Sequence, residues 1–177
     1  SDSREEEMKK VVVWISALLL GLCLSGCENP SEEGVEYLKN GQYEEAIEQF
    51  EKAVEEEVNV GDAYRGIGIA RWEQENYEGA RESFLKAVEA GAESTGTLYN
   101  FIGSCEMKLN NPASAQNYFR LGIAQEGSSA ELIQEMKYNM IVAYEQLKDW
   151  ESAKVELRNY VASYPEDETA KKELQFL

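Results

Sequence analysis

Side chains that could do covalent or metal chemistry are sparse in these 177 residues. The sequence has no histidine, so it lacks both the usual protein ligand of metals and the usual general base at neutral pH. Its three cysteines, at positions 23, 27 and 105, are too few and too unevenly spaced for a disulfide framework or a zinc site. We interpret Cys105, which falls in a predicted helix, as a buried free thiol. The sequence therefore predicts neither a bound metal nor a cofactor.

Carboxylates are abundant, but they do not form a catalytic constellation. The chain has 34 acidic and 17 basic residues, a formal net charge of −17. Many of the acidic residues fall on the outward face of a predicted helix, which is typical of a solvated surface: Glu44, Glu48, Glu51 and Glu55. The sequence has no phosphate-binding glycine loop and no Gly-x-Ser-x-Gly motif. We therefore predict a protein that is not an enzyme, and the negative charge argues against a nucleic acid as partner.

The neighbours of Cys27 give its thiol a specific chemistry. Met8-Lys9-Lys10 and the apolar run from Val11 to Leu22 are typical of a secretory signal peptide, and the run is too short to span a bilayer, which needs about 20 apolar residues. Leu24-Ser25-Gly26-Cys27 resembles the lipobox of bacterial lipoproteins. The resemblance implies that Cys27 receives a diacylglyceryl group and becomes the mature N-terminus once residues 8–26 are removed. The alternative is an ordinary signal peptide, or a membrane anchor, with a chance cysteine.

Two short segments flank this signal. Residues 1–7 precede a natural-looking start at Met8, and we interpret them as an upstream extension or a cloning remnant. Residues 27–31 predict a short tether, because the four residues after Cys27 span at most about 14 Å. Two or more acyl chains make a stable anchor. The expected location is therefore extracytoplasmic, on the cell membrane or the outer membrane.

A period of 34 residues organises the rest of the chain. Tyr43, Ala46, Phe50 and Ala53 return 34 positions later as Tyr77, Ala80, Phe84 and Ala87, and looser copies begin at Pro112 and Trp150. The sequence thereby resembles the tetratricopeptide-repeat family. This resemblance implies an all-α fold, a right-handed α-α superhelix of about four helix–turn–helix repeats plus a C-terminal capping helix, over residues 32–177. The expected units are 32–60, 61–95, 96–133 and 134–165, with the cap at 166–177.

Small residues are expected where helix A and helix B of one unit cross. Helix A carries a glycine in three units, and we expect it to face an alanine of helix B, as Gly68 would face Ala80. Unit four departs from the pattern, because Ile141 replaces the glycine and Tyr160 replaces a small residue. Arg71 and Glu106 occupy one position in adjacent units, and the sequence leaves open whether they form an ion pair or are separately solvated.

The resemblance also implies a concave groove, lined by the A helices, that binds an extended peptide or a helix of a partner protein. Carried over position by position, the groove residues are Arg65, Ile69, Trp72, Asn100, Phe101, Ser104, Met107, Lys108, Tyr138, Asn139 and Val142. The alternative for Trp72 and Phe101 is that they pack against neighbouring helices. Some relatives clamp a C-terminal carboxylate at set positions, which here hold Arg65, Ile69, Phe101, Glu135 and Asn139. That clamp is therefore absent.

Two functions are consistent with these features. The first is a membrane-anchored, non-enzymatic adaptor that binds its partner protein in the groove at the bacterial cell envelope. The second is a structural subunit of an envelope assembly that uses its convex or lateral faces. We prefer the adaptor, because the predicted groove mixes aromatic side chains and methionine with amides and has few charges.

Overall fold

The computed structural model describes residues 30–93 and 95–177; the predicted signal peptide and Cys27 lie outside the described residues. The described residues form nine α-helices and no β-strand. Their bounds are α1 Pro30–Lys39, α2 Tyr43–Glu55, α3 Val60–Glu73, α4 Tyr77–Glu89, α5 Thr95–Lys108, α6 Pro112–Ile123, α7 Ala130–Gln146, α8 Trp150–Ser163 and α9 Glu168–Leu174. No helix in this part of the chain is both long and apolar enough to cross a bilayer. Each helix packs against the next one along the chain, and α1, α3, α5 and α7 are the A helices of successive units.

A left-handed residue ends helix A in every unit. The four residues are Gly41, Glu75, Asn110 and Lys148, with φ of 73°, 60°, 63° and 58°. In unit two the amide of Glu75 donates to the carbonyl of Trp72 at 2.9 Å, and the amide of Asn76 donates to the carbonyl of Arg71 at 2.8 Å. This pair of bonds is the Schellman motif. Glycine and asparagine adopt this conformation readily, whereas a left-handed backbone strains Glu75 and Lys148 by about 1–2 kcal/mol.

The crossing of helices A and B depends on a glycine that faces a phenylalanine. A Cβ atom at Gly68 would lie 2.6 Å from the ring of Phe84, and one at Gly103 would lie 2.5 Å from the ring of Phe119. The nearest neighbour of Gly68 is therefore Phe84 and not, as predicted, Ala80. Ala80 is fully buried, but the flat depression left by the missing glycine side chain is filled by an aromatic ring of helix B.

Unit four lacks this glycine, and the sizes of the two facing side chains are reversed there. Its helix A carries Ile141 and its helix B carries Leu157, and both lie in one buried cluster with Tyr160. The larger residue in helix A is thus matched by a smaller one in helix B. Tyr160 is accommodated because its hydroxyl accepts a hydrogen bond from Gln134 and donates one to Asp167, both at 2.9 Å. These bonds tie α8 to α7 and to the start of the last helix.

Neither sequence-based expectation for Arg71 and Glu106 is met. Glu106 is buried and accepts a hydrogen bond from the guanidinium of Arg81 at 2.7 Å, which joins α4 to α5. This hydrogen bond raises the pKa of Arg81. Arg71 instead donates to the hydroxyl of Ser83 at 2.8 Å, within its own unit. The actual partner of Glu106 thus comes from helix B of unit two and not from its helix A.

Candidate partner-binding groove

The predicted groove residues lie on three successive A helices. Arg65, Ile69 and Trp72 lie on α3. Five more lie on α5, and Tyr138, Asn139 and Val142 lie on α7. Helix α5 packs against α7, so the polar residues of the two helices meet. Lys108 and Tyr138 are half-buried, and the other nine residues are buried.

Two aromatic residues of the predicted groove, Trp72 and Phe101, make core contacts. Trp72 packs edge-on against Tyr77, with ring centroids 5.0 Å apart, and Phe101 stacks on Phe84 at 4.7 Å. Trp72 also meets Phe101 at 6.2 Å. These contacts match the alternative in which both side chains pack against neighbouring helices. Truncating either residue would therefore change stability as well as any binding, so their role in binding stays a prediction.

Tyr138 and Lys108 are also engaged within the chain. The hydroxyl of Tyr138 donates to Glu173 at 2.5 Å, and its ring packs edge-on against Tyr160 at 5.4 Å. Burial, together with the charge of Glu173, raises the pKa of Tyr138. The ammonium of Lys108 lies 5.7 Å from the centre of the Tyr77 ring. The bond from Tyr138 joins unit four to the C-terminal helix α9, and the contact of Lys108 joins unit three to helix α4 of unit two.

A chain of amides and a carboxylate connects α5 to α7. The side-chain amide of Asn100 donates to Glu135 at 3.0 Å, and the amide of Asn139 donates to the side-chain oxygen of Asn100 at 3.3 Å. Burial raises the pKa of Glu135, and the bond from Asn100 partly opposes this shift. In the sequence, Glu135 was noted only as one position of the absent carboxylate clamp. No local pattern shows that Glu135 faces Asn100 across two helices.

Three predicted groove residues carry buried polar atoms that have no hydrogen-bond partner within residues 30–93 and 95–177. These atoms are Nε of Arg65, Oγ of Ser104 and Oδ1 of Asn139, and they come from α3, α5 and α7. The terminal nitrogens of Arg65 are satisfied, since they donate to Asp62 at 3.1 Å and to the backbone carbonyl of Glu93. Burial lowers the pKa of Arg65, while the charges of Asp62 and Glu93 oppose that shift. A buried unpaired polar group costs about 1–3 kcal/mol, so natural proteins keep few of them.

The acidic surface predicted on α2 is a solvent-open cleft. Three of the predicted carboxylates, Glu44, Glu48 and Glu51, line the cleft, and Glu45 and Arg71 line it with them. Gln74 donates to Glu44 at 2.6 Å across it. Within the described residues, no group of three or more carboxylate or cysteine side chains is arranged to hold a metal ion. We therefore treat this cleft as a solvated face.

Comparison with known proteins supports the repeat interpretation. Two sequence profiles, each described as tetratricopeptide repeat, match residues 32–95 and 135–167. The Heat-shock protein cognate (HSC) co-chaperone sgt12 of Aspergillus fumigatus is 30% identical over 91 residues. That match covers 50% of this chain but only 25% of the co-chaperone.

Solved structures show the same fold at low sequence identity. MamA from Desulfovibrio magneticus RS-1, solved from residue 41 to its end, matches with a TM-score of 0.70 and 18% identity, over 83% of this chain and 80% of the solved chain. YrrB, described as a TPR protein with an unusual peptide-binding site, matches at 0.55 and 21%, over 84% and 91%. The TPR2AB domain of yeast Sti1, in complex with pHSP90, matches at 0.54 and 20%, over 80% and 65%. The predicted superhelical fold is confirmed, and this chain carries tetratricopeptide repeats.

Proposed function

We propose that this chain is a membrane-anchored, non-enzymatic adaptor that binds a peptide or helix of a partner protein in its groove, at the bacterial cell envelope. The observation that carries the proposal is the set of unpaired polar atoms on α3, α5 and α7. Tetratricopeptide repeats are generally protein-interaction modules, which agrees with this use.

The unpaired atoms match the hydrogen-bonding groups of a peptide backbone. Nε of Arg65 is a donor for a carbonyl, Oδ1 of Asn139 is an acceptor for an amide, and the hydroxyl of Ser104 serves either group. Apolar side chains on the same three helices supply contact area: Ile69, Met107 and Val142. These atoms have almost no accessible surface, so a ligand reaches them once the side chains that cover them move aside; each hydrogen bond that it then forms removes the cost of leaving that atom unpaired.

Similar proteins support a peptide as the ligand. YrrB has a peptide-binding site, and the Sti1 domain is in complex with pHSP90. Ile69, Phe101 and Glu135 occupy positions at which a carboxylate clamp would need other side chains. We therefore propose an internal peptide segment or a helix as the ligand, and not a C-terminal carboxylate.

The lipid anchor is the second part of the proposal. It rests on the match of Leu24-Ser25-Gly26-Cys27 to a lipobox, which lies outside the described residues. Intact mass of protein extracted from membranes should show loss of all residues through Gly26 and the added mass of acyl chains. Substitution Cys27→Ala should leave the precursor uncleaved and without acyl mass. Acylation that persists in this variant would contradict the assignment.

Partner capture in cells tests the groove. We expect crosslinking followed by detergent extraction to recover a partner, and Ser104→Ala combined with Asn139→Ala to reduce recovery about tenfold or more, since two hydrogen bonds are worth about 2 kcal/mol. The matched control reverses two outward charges, Glu48→Lys with Glu55→Lys, and should retain the partner.

The same experiment separates the adaptor from a structural subunit. Leu121 and Val155, on the outward faces of α6 and α8, are 45% and 51% exposed, and such side chains suit lateral contacts in an assembly. If the charge reversals lose the partner while the folded groove variants retain it, the outer face binds. The structural-subunit function would then replace the adaptor.

A further inference from the structure

One contact between units recurs three times in the stack. The C-terminal end of each following helix A meets the A–B turn, or the first residues of helix B, of the preceding unit. Gln74 donates to Glu44 at 2.6 Å, and the ammonium of Lys108 lies over the ring of Tyr77 at 5.7 Å. At the third boundary the amide of Gln146 donates to the side chain of Asn110 at 2.8 Å. In each case a cationic or N–H donor group on the following helix covers the preceding turn.

Among the residues that the structure describes, no comparable donor covers the corresponding turn of unit four. Helix α9 has 7 residues, whereas α3 and α5 have 14 and α7 has 17. The backbone carbonyl of Leu177 accepts a bond from Lys154 at 3.3 Å, about one helical turn short of Trp150. Trp150 is 45% exposed and Leu147 is 44% exposed. Two large apolar side chains thus flank the turn in contact with solvent.

The chemistry of the uncovered turn follows from its position in the repeat. Trp150 stands where unit two has Tyr77, and Glu151 stands where unit one has Glu44. Tyr77 receives a lysine ammonium and Glu44 receives an amide donor in this chain. Indole is the aromatic group that best attracts a cation placed over its face. Asp149 is already engaged, because its carboxylate accepts from the amide of Ser152 at 3.1 Å.

We infer that Leu147, Trp150 and Glu151, here called the end patch, bind the C-terminal turn of an amphipathic helix that carries a lysine or arginine in that turn. The helix belongs to a partner protein. Its cation lies over Trp150 and beside Glu151, and its apolar side chains cover Leu147. The helix continues the stacking contact that Gln74, Lys108 and Gln146 make inside the chain. The end patch lies outside the groove, so this site is independent of the proposed function.

A helix from this chain serves as the probe. A lactam-bridged, fluorescein-labelled peptide that copies residues 95–110 carries Lys108 in its last turn, and the bridge compensates for the low helicity of a short isolated peptide. We expect its fluorescence anisotropy to saturate as the full chain is titrated in. Trp150→Ala or Glu151→Lys in the chain should weaken binding at least tenfold, as should Lys108→Glu in the peptide.

Two further variants keep the inference falsifiable. Val155→Ala, which removes a side chain 51% exposed about one turn along the same helix, should leave binding unchanged. Trp150→Phe should retain part of the affinity, because it keeps an aromatic face. Circular dichroism of each variant shows whether the chain is folded, so that loss of the aromatic face is separated from loss of folding. The inference is overturned if the peptide does not saturate, or if Trp150→Ala binds it as tightly as the parent chain. Sedimentation that shows self-association lost on Trp150→Ala would assign the end patch to a second copy and would likewise overturn it.

Discussion

Two buried serines in equivalent helical surroundings allow a direct test of the unpaired groove atoms. Ser83 on α4 and Ser104 on α5 are each 1% exposed. The hydroxyl of Ser83 accepts from Arg71 at 2.8 Å and donates to the carbonyl of Gly79 at 2.9 Å. The hydroxyl of Ser104 has no hydrogen-bond partner in the described part of the chain. Substitution by alanine removes the same atom from both sites, so the two changes differ chiefly in the hydrogen bonds that are lost.

The expected free energies of unfolding change in opposite directions. Ser83→Ala leaves Arg71 without its shorter acceptor, and we expect it to destabilise the fold by about 1–2 kcal/mol. Ser104→Ala removes an unpaired buried hydroxyl, which costs about 1–3 kcal/mol in the parent, so we expect no loss or a gain in stability. The gain in helix propensity from serine to alanine is shared and cancels in the comparison. The gap between the two variants should be at least about 1 kcal/mol, and it reaches about 2 kcal/mol or more where Ser104→Ala stabilises the fold.

Thermal unfolding followed by circular dichroism measures this gap. For a chain of this size, about 2 kcal/mol corresponds to a difference of about 4–8 °C in melting temperature. Ser104→Ala should also weaken partner capture while it keeps or raises the melting temperature, a combination that structural damage does not produce. A melting temperature for Ser104→Ala that falls as far as that for Ser83→Ala would refute the reasoning. The hydroxyl of Ser104 would then have a partner in the fold, and the groove would lose its main support.

Three further predictions follow from the packing and the backbone. Gly68→Ala should cost about 1–3 kcal/mol because its Cβ would lie 2.6 Å from the ring of Phe84, and adding Phe84→Leu should restore part of the loss in a thermal melt, as the pair in unit four suggests. Lys148→Gly should raise the melting temperature by about 1–4 °C, because glycine relieves the left-handed strain at φ 58° at a smaller entropic cost. Burial raises the pKa of Glu135, so the folded state favours the neutral acid. The ionised carboxylate therefore destabilises the fold at a pH above the folded-state pKa, and this penalty is absent at a pH below the unfolded-state pKa. Glu135→Gln should therefore stabilise the chain in denaturant titrations at pH 7, and this advantage should vanish towards pH 4; an advantage that is constant with pH would contradict the assignment.

The sequence by itself was sufficient for the helices and their order. The return of Tyr43 and Phe50 as Tyr77 and Phe84 is a local pattern, because apolar residues at three- and four-residue spacing bury one face of a helix whatever lies opposite. The A–B turns were recognisable from residues such as Asn40-Gly41. The left-handed conformation of Glu75 and Lys148 was not recognisable from the sequence, because neither residue type favours it and only the Schellman bonds require it.

Contacts across helices were decided by the tertiary structure. The nearest neighbour of Gly68 is Phe84 and not Ala80, and Glu106 pairs with Arg81 and not Arg71. The glycine at position 68 correctly indicated a close approach of two helices, but in both cases the partner depends on how two helices cross and on their axial offset. That geometry arises from the summed packing of many side chains, and a one-residue change in offset rotates a helix face by about 100°. For the same reason the chain did not reveal that Ser104 lacks a hydrogen-bond partner while Ser83 has two, since this depends on atoms that other helices bring within about 3 Å.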